Sequence, residues 1–209
     1  ILLNKIMTDA ISGSNDSINE IQKRYPALSE KEAREIYALV TAGAKNPSNT
    51  ASLVVTAPPS FSIHAKPTKV VVDAMITNAQ RSILITGYSL SDYFTDLVDC
   101  IIKKSQEGVF VKFFVNDIDN QKAFERLCRY RGRFLKIYNY PKQKDTMSAL
   151  HAKVISVDQK ETLITSANLS YHGQEGNIEL GAQIESRETA KQVEDVFTQL
   201  IFSKVFVEV

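Results

Sequence analysis

The sequence predicts an α/β domain with a mixed, largely parallel central sheet flanked by helices, preceded by a small N-terminal helical segment. Three observations predict this class. Short apolar runs at 82–86, 109–115 and 134–138 alternate with helical patterns, the alternation that gives parallel strands covered by helices. Two further apolar runs flank the polar break Asp158, Gln159, Lys160 and Glu161, the pattern of a hairpin, which makes the sheet mixed. The first 45 or so residues carry helix-start signals and no strand pattern.

Taken in order, Ser17-x-x-Glu20 and Ser29-x-x-Glu32 read as capping boxes, and Ile36, Leu39 and Val40 supply an apolar stripe. These helices suit docking or dimerisation better than catalysis. Residues 45–50, KNPSNT, form a linker by composition, so a helical segment at 1–50 is expected before a domain at 51–209. A short strand at 53–56 ends in Ala57-Pro58-Pro59, a helix follows at 68–79, and 82–86 is a buried strand. The stretch 91–106 is amphipathic, with Phe94, Leu97, Val98, Ile101 and Ile102 on one face and Gly108 as its stop. A strand at 109–115, a helix at 119–130 and a strand at 134–138 come next. After the hairpin, 177–184 alternates polar and apolar residues as a third strand, 187–201 reads as a closing helix, and 204–209 as a last edge strand.

Length and composition bound the function. The chain has 209 residues, 44% of them hydrophobic, enough for one substantial core with a small helical appendage. A net charge of +1 excludes a general polycation, and no apolar run approaches the ~18 residues of a membrane span. A soluble, cytoplasmic protein is expected, although Ile1 in place of Met leaves an upstream start open. Cys100 and Cys128 make no disulfide framework, and with three scattered histidines no zinc-ligand spacing occurs. No cofactor is expected.

The stretch 150–181, LHAKVISVDQKETLITSANLSYHGQEGNIELG, organises the chemistry. Strand alternation puts His151, Lys153, Ile155 and Val157 on one face. A loop symmetric about Gln159 and Lys160 opposes His151 to Asn168 and Lys153 to Ser166, with paired Cβ atoms roughly 4.5–5.5 Å apart. Lysine, serine and asparagine donate to anionic oxygens, and a neutral imidazole beside them can attack phosphorus. A nucleophilic imidazole needs its second nitrogen fixed, and Glu179 on the third strand is the candidate.

This constellation, His151-x-Lys153 followed after four residues by Asp158, then Thr165-Ser166-Ala167-Asn168 and later Glu179, resembles the phospholipase D superfamily. Thr165 stands where that family often has Gly. The resemblance implies His151 as nucleophile, Lys153 and Asn168 as phosphate ligands, Ser166 as an auxiliary donor, Glu179 as the residue orienting His151, and Asp158 as a structural residue holding the turn. It also implies hydrolysis without a metal, through a phosphohistidine. Family members with two signatures use the second histidine as general acid. With one signature here, a homodimer sharing one active site is expected.

His64-Ala65-Lys66 repeats the His-x-Lys spelling, but Val71 occupies the Asp position and Pro67 interrupts any strand, so it reads as a loop near the mouth of the site. His172 reads as a solvated loop residue with leaving-group contact as its alternative. Between Lys122 and Asp145 stand eight basic residues, Lys122, Arg126, Arg129, Arg131, Arg133, Lys136, Lys142 and Lys144, against Glu125 and Asp145. They lead straight into the signature, interleaved with Phe134, Tyr138 and Tyr140, which favours a nucleic acid over a zwitterionic lipid.

The order of a helical start, LVVTAPP, ILITGYSL and a single signature ending SANLSYHGQEGNIELG is similar to the phospholipase D-like components of the DISARM anti-phage system. That resemblance implies a bacterial cytoplasmic protein acting on foreign DNA beside other defence proteins. Three function classes stay open: a nuclease, a lipid-directed phosphodiesterase, and a non-catalytic nucleic-acid-binding subunit. An apolar membrane-facing loop would favour lipid, and the 57–69 loop offers only Phe61 and Ile63. No membrane partner is expected.

Overall fold

A computed structural model describes residues 16–44, 50–58, 64–87, 95–116, 118, 123–141 and 148–209. The chain divides by its contacts into two compact units, 1–49 and 50–209. The linker core at 45–49, Phe61, Ile63, Phe94, Lys122, Lys142, Lys144 and Asp145 lie outside the described residues.

In the first unit, helices α1 (Asp16–Arg24) and α2 (Glu30–Ala44) pack through Ile18, Ile21 and Ala33, joined by Leu28, Tyr37 and Val40. Ser29 caps α2 as a capping box: its N–H donates to Glu32 at 2.7 Å, and the Glu32 N–H donates back to the Ser29 hydroxyl at 3.3 Å. Two expectations are corrected here. Ser17 lies inside α1 and is buried, so it does not begin that helix. The α2 stripe facing α1 is Ala33, Tyr37 and Val40, spaced by four and three, whereas Ile36 and Leu39 are 37% and 75% exposed.

Among the described residues the second unit has nine strands: β1 (Thr50–Thr56), β2 (Lys66–Pro67), β3 (Ser82–Gly87), β4 (Phe110–Asn116), β5 (Leu135–Tyr140), β6 (Val154–Val157), β7 (Glu161–Thr165), β8 (Glu179–Glu185) and β9 (Val207–Glu208). Their order across the sheet is β2-β1-β8-β7-β6-β3-β4-β5-β9. The helices are α3 (Thr68–Asn78), α4 (Thr95–Gln106), α5 (Ala123–Arg129) and α6 (Arg187–Phe202). The sheet is mixed, as expected, but parallel pairing is confined to β3-β4-β5 and the short β1-β2 contact. From β3 to β1 the signature half pairs antiparallel, and only its β6-β7 step is a tight hairpin, which allows no other sense.

Alternation along the strands sorts the core onto two faces. Val54, Ile83, Ile85, Val111, Phe113, Val115, Leu135, Ile137, Ile155, Val157 and Leu163 meet the apolar stripes of α3, α4 and α5. On the other face Leu84, Phe114 and Tyr138 meet Phe197 of α6, Phe206 and Leu150. The second face is aromatic at its centre, with the Phe114 ring 4.5 Å from Phe197 and 5.0 Å from Phe206. Beyond α6, Leu53, Ile164 and Leu180 share that face and are 54%, 44% and 56% exposed. The last strand takes the sheet edge, as expected, pairing with β5 at Tyr138 and Asn139.

Candidate active site

The parallel strands β3 and β4 end in polar residues, and those residues receive the signature. The Leu150 N–H donates to Asn116 Oδ1 at 2.9 Å. Thr86, 2% exposed, donates its hydroxyl to the Ala152 carbonyl at 2.7 Å and accepts the Val154 N–H at 2.8 Å. The chain from 150 to 154 is thus clamped at both ends, and Leu150 is driven into the aromatic core. Between the clamps His151 is exposed, and Lys153 is half-buried with its ammonium donating to the His151 carbonyl at 2.7 Å. Burial pushes the Lys153 pKa down from its ordinary value, and the negative charge of Glu179 partly opposes that shift.

The hairpin register differs by one residue from expectation. Val154 pairs with Ile164, and the Thr165 N–H donates to the Lys153 carbonyl at 3.1 Å, so Thr165 and not Ser166 lies across from Lys153. His151 and Lys153 precede β6 instead of forming part of it. The cause is the turn. Asp158 and Gln159 both take left-handed φ, 55° and 52°, and the Lys160 N–H closes onto the Val157 carbonyl at 3.0 Å, the arrangement of a type I′ turn with one extra residue before the ladder resumes. No glycine announces it in the sequence.

The acidic strand arrives beside the lysine. Ser166 replaces a regular ladder bond: its hydroxyl accepts the Leu180 N–H at 3.2 Å and donates to one oxygen of Glu179. The other Glu179 oxygen accepts from Asn177 Nδ2 at 3.0 Å. Glu179 is therefore fixed by Ser166 and Asn177, with its charge acting on Lys153. Gly181 permits this closeness, because a Cβ there would stand 2.7 Å from both the Ile164 carbonyl and Thr165 Cβ.

Asn168 is set from behind by a π-helical turn, His172–Gly176, a rare geometry that recurs at functional sites. Gln174 Nε2 donates to the Asn168 carbonyl at 3.3 Å, and Thr56 at the end of β1 donates to the Gly173 carbonyl at 2.9 Å. A Cβ on Gly173 would lie 2.3 Å from the Asn168 carbonyl oxygen, so only glycine fits. Asn168 Oδ1 is buried without a hydrogen-bond partner. His172 belongs to this turn, exposed and edge-on to Tyr171 at 5.6 Å, and Glu175 ties the turn to α3 through Lys69 at 2.8 Å.

Other expected residues lie elsewhere. Asp158 sits at the opposite end of β6, where its carboxylate accepts the N–H groups of Gln80, Arg81 and Ser82 at 2.9, 2.7 and 2.9 Å. His64 precedes the edge strand β2, whose Lys66 pairs with Val54 and donates to Gln183 at 2.7 Å. The described residues of the basic segment lie away from the signature end. Arg126 is paired with Asp99 at 2.5 Å and Lys136 with Glu208 at 2.6 Å, while Arg129, Arg131 and Arg133 are exposed at the amino end of β5. Sequence reasoning missed Thr86, Asn116, Asn177 and Gly173. The legible signal was a polar residue ending an apolar run, as in Ile-Leu-Ile-Thr86 and Phe-Phe-Val-Asn116.

Among the described residues no group of three or more His, Cys, Asp or Glu is placed to hold a metal ion, and no helix is long and apolar enough to cross a membrane.

Comparison with known proteins gives the family and the fold. The model of the cardiolipin synthase, PLD-like domain family matches residues 72–201. The chain belongs to the phospholipase D-like family. This phospholipase D-like chain is 34% identical over 157 residues to the DISARM protein DrmC of Bacillus paralicheniformis, a match covering 73% of this chain and 64% of that relative. The chain thus spans under two thirds of the length of the curated relative it matches. Its fold is that of Nuc, a phospholipase D family member from Salmonella typhimurium, with a TM-score of 0.59 at 18% identity, covering 77% of this chain and 99% of Nuc. NucT from Helicobacter pylori is alike at a TM-score of 0.58 and 20% identity, covering 75% and 98%.

Proposed function

We propose that this phospholipase D-like protein is a metal-independent phosphodiesterase of nucleic acid, DNA foremost, working through a phosphohistidine in bacterial anti-phage defence. The observation that carries the reading is the convergence of Lys153, Ser166 and Glu179 beside the clamped His151 backbone. In this reading His151 attacks phosphorus, an N–P bond forms and the P–O bond to the leaving alkoxide breaks. Lys153 and Asn168 take the non-bridging oxygens, Ser166 adds a donor, and Glu179 orients the imidazole. Water then displaces the histidine. In this reading neither step calls for a metal: the first nucleophile is a neutral imidazole nitrogen, the second a water, and the phosphate charge is met by the lysine.

The leaving alkoxide needs a proton from the opposite side of the phosphate. We assign it to the His151 of a second copy in a two-fold homodimer. The exposed apolar row Leu53, Ile164 and Leu180 lies on the signature half of the sheet and offers such a mate a surface to bury. The relationship to a DISARM protein supports a cytoplasmic defence setting with other proteins of that system as partners. A lipid headgroup substrate is the second reading, favoured by the family description, which names cardiolipin synthase.

The test is incubation of parent and His151→Ala protein with labelled single- and double-stranded DNA and with phosphatidylcholine, with and without chelator. Cleavage of DNA by the parent alone, unaffected by chelator, is expected. Release of headgroup without DNA cleavage would transfer the site to lipid, and no turnover of any diester would leave a binding subunit.

A further inference from the structure

Arg129 ends α5, Tyr130, Arg131 and Arg133 belong to its connection to β5, and backbone hydrogen bonds hold that connection in place. The Tyr130 N–H donates to the Leu127 carbonyl at 3.0 Å, the Gly132 N–H to the Leu135 carbonyl at 2.9 Å, and the Val111 N–H to the Phe134 carbonyl at 2.7 Å. The Arg133 guanidinium lies over the Phe134 ring at 5.3 Å, and Phe134 meets Phe110 edge-on at 5.4 Å. Phe110 and Tyr130 are 43% and 48% exposed. The neighbouring cations Arg126 and Lys136 are neutralised by Asp99 and Glu208, whereas among the described residues no carboxylate pairs with Arg129, Arg131 or Arg133. No Asp or Glu occurs in the sequence from Arg126 to Lys144.

This surface is not part of the active site. β4 carries Phe110 at its amino end and Asn116 at its carboxyl end, and Asn116 holds Leu150 beside His151. Six steps of strand separate the two ends, roughly 20 Å.

We propose that this arginine–aromatic surface is a second binding site, for single-stranded nucleic acid, that holds a strand whose scissile phosphate lies at the other end of the sheet. Three guanidinium groups without a carboxylate partner, of which Arg131 spends one N–H on the Cys128 carbonyl at 3.3 Å, supply phosphate contacts, and exposed aromatic faces with a stacked guanidinium supply platforms for bases. An acidic peptide would satisfy the charges but would leave Tyr130 and Phe110 without a role. The proposal rests on the nucleic-acid reading of the active site, and its test is arranged to fail separately.

Binding of labelled oligothymidylate is measured against salt in the His151→Ala protein, where turnover plays no part. Replacing Arg129, Arg131 and Arg133 together by glutamine is expected to lower the log–log salt slope by about 2, at ~0.7 per lost phosphate contact on a single strand. Tyr130→Ala is expected to weaken binding roughly tenfold at unchanged slope, the size of one lost base stack. Lysine at the three positions keeps the slope. Circular dichroism and Tm matching the parent establish folding, and a small chromogenic phosphodiester, which cannot reach from one end of the sheet to the other, is turned over by the triple glutamine variant at the parent rate. If no diester is turned over at all, the catalytic reading fails while the binding result stands. An unchanged slope and affinity in the folded triple variant overturns the proposal, as does loss of binding only to anionic vesicles or to an acidic protein.

Discussion

Asp158 and Ser82 bind each other twice: the Asp158 N–H donates to the Ser82 carbonyl, and the Ser82 N–H donates to the Asp158 carboxylate, both at 2.9 Å. With Gln80 and Arg81 donating to the same carboxylate, this acid joins the hairpin turn to the start of β3, at the end of β6 away from His151. Asp158→Asn, which tolerates the left-handed backbone, is expected to cost roughly 2–3 kcal/mol, the loss of charge-assisted bonds to backbone N–H groups. Urea unfolding measures it. Turnover per folded molecule stays within about twofold of the parent, and a collapse of turnover with unchanged stability would place Asp158 in the chemistry.

Thr86 is expected to act on catalysis through position alone. Thr86→Val keeps the shape but leaves the Val154 N–H and Ala152 carbonyl without their bridge, at a cost of roughly 1–3 kcal/mol. Because the bridge sets the His151 and Lys153 backbone, kcat is expected to fall roughly tenfold to a hundredfold with a smaller change in KM. Thr86→Ser restores both. Failure of serine to rescue kcat would show that the bridge is not what matters.

Lys153 is a cation kept where burial disfavours its charge. Its folded pKa lies below the unfolded value, so between the two the unfolded chain binds more protons and stability rises with pH. At a pH below the lowered folded pKa the cost is present in full. Lys153→Met is therefore expected to raise Tm at pH 7, by an amount that shrinks as pH climbs through the lowered folded pKa toward the ordinary lysine range, while turnover falls by roughly a hundredfold or more. A Tm that drops at pH 7 would mean that the bond to the His151 carbonyl outweighs the burial cost.

The shared-site homodimer is tested by mixing subunits. Parent and His151→Ala chains carrying different tags are co-expressed and the mixed dimer isolated. Near-complete loss of turnover is expected, because each phosphate uses both histidines. Retention of about half the parent activity means independent sites and removes the shared site.

The elements of the fold were legible because strand and helix periods alternate cleanly from 82 onward, and the signature residues were legible because their types and spacings are unusual together. Register was not, since the turn is made by Asp158 and Gln159 in left-handed conformations that glycine would ordinarily advertise. Sequence adjacency misled for the arginines: Arg133 precedes the signature by fewer than twenty residues, yet β5 carries the chain from one end of the sheet to the other in that interval. Ile36 and Leu39 misled for a related reason, because a run of apolar residues on a helix does not say which of them its neighbour touches.

β1 has a long wait during synthesis. Among the described residues its full-length neighbour is β8, which pairs with it over seven residues, and the Ser52–Gln183 contact spans 131 positions of sequence. β2 meets it at just two residues. A nascent chain therefore carries β1 as an unpaired strand until almost the whole second unit has left the ribosome. Non-local pairing of this kind forms slowly. The strand that pairs β1 into the sheet also brings Glu179, so the acid beside Lys153 arrives in the same event that closes β1. The site beside Lys153 is thus assembled only at the end of folding, when the last long-range pairing of the sheet forms.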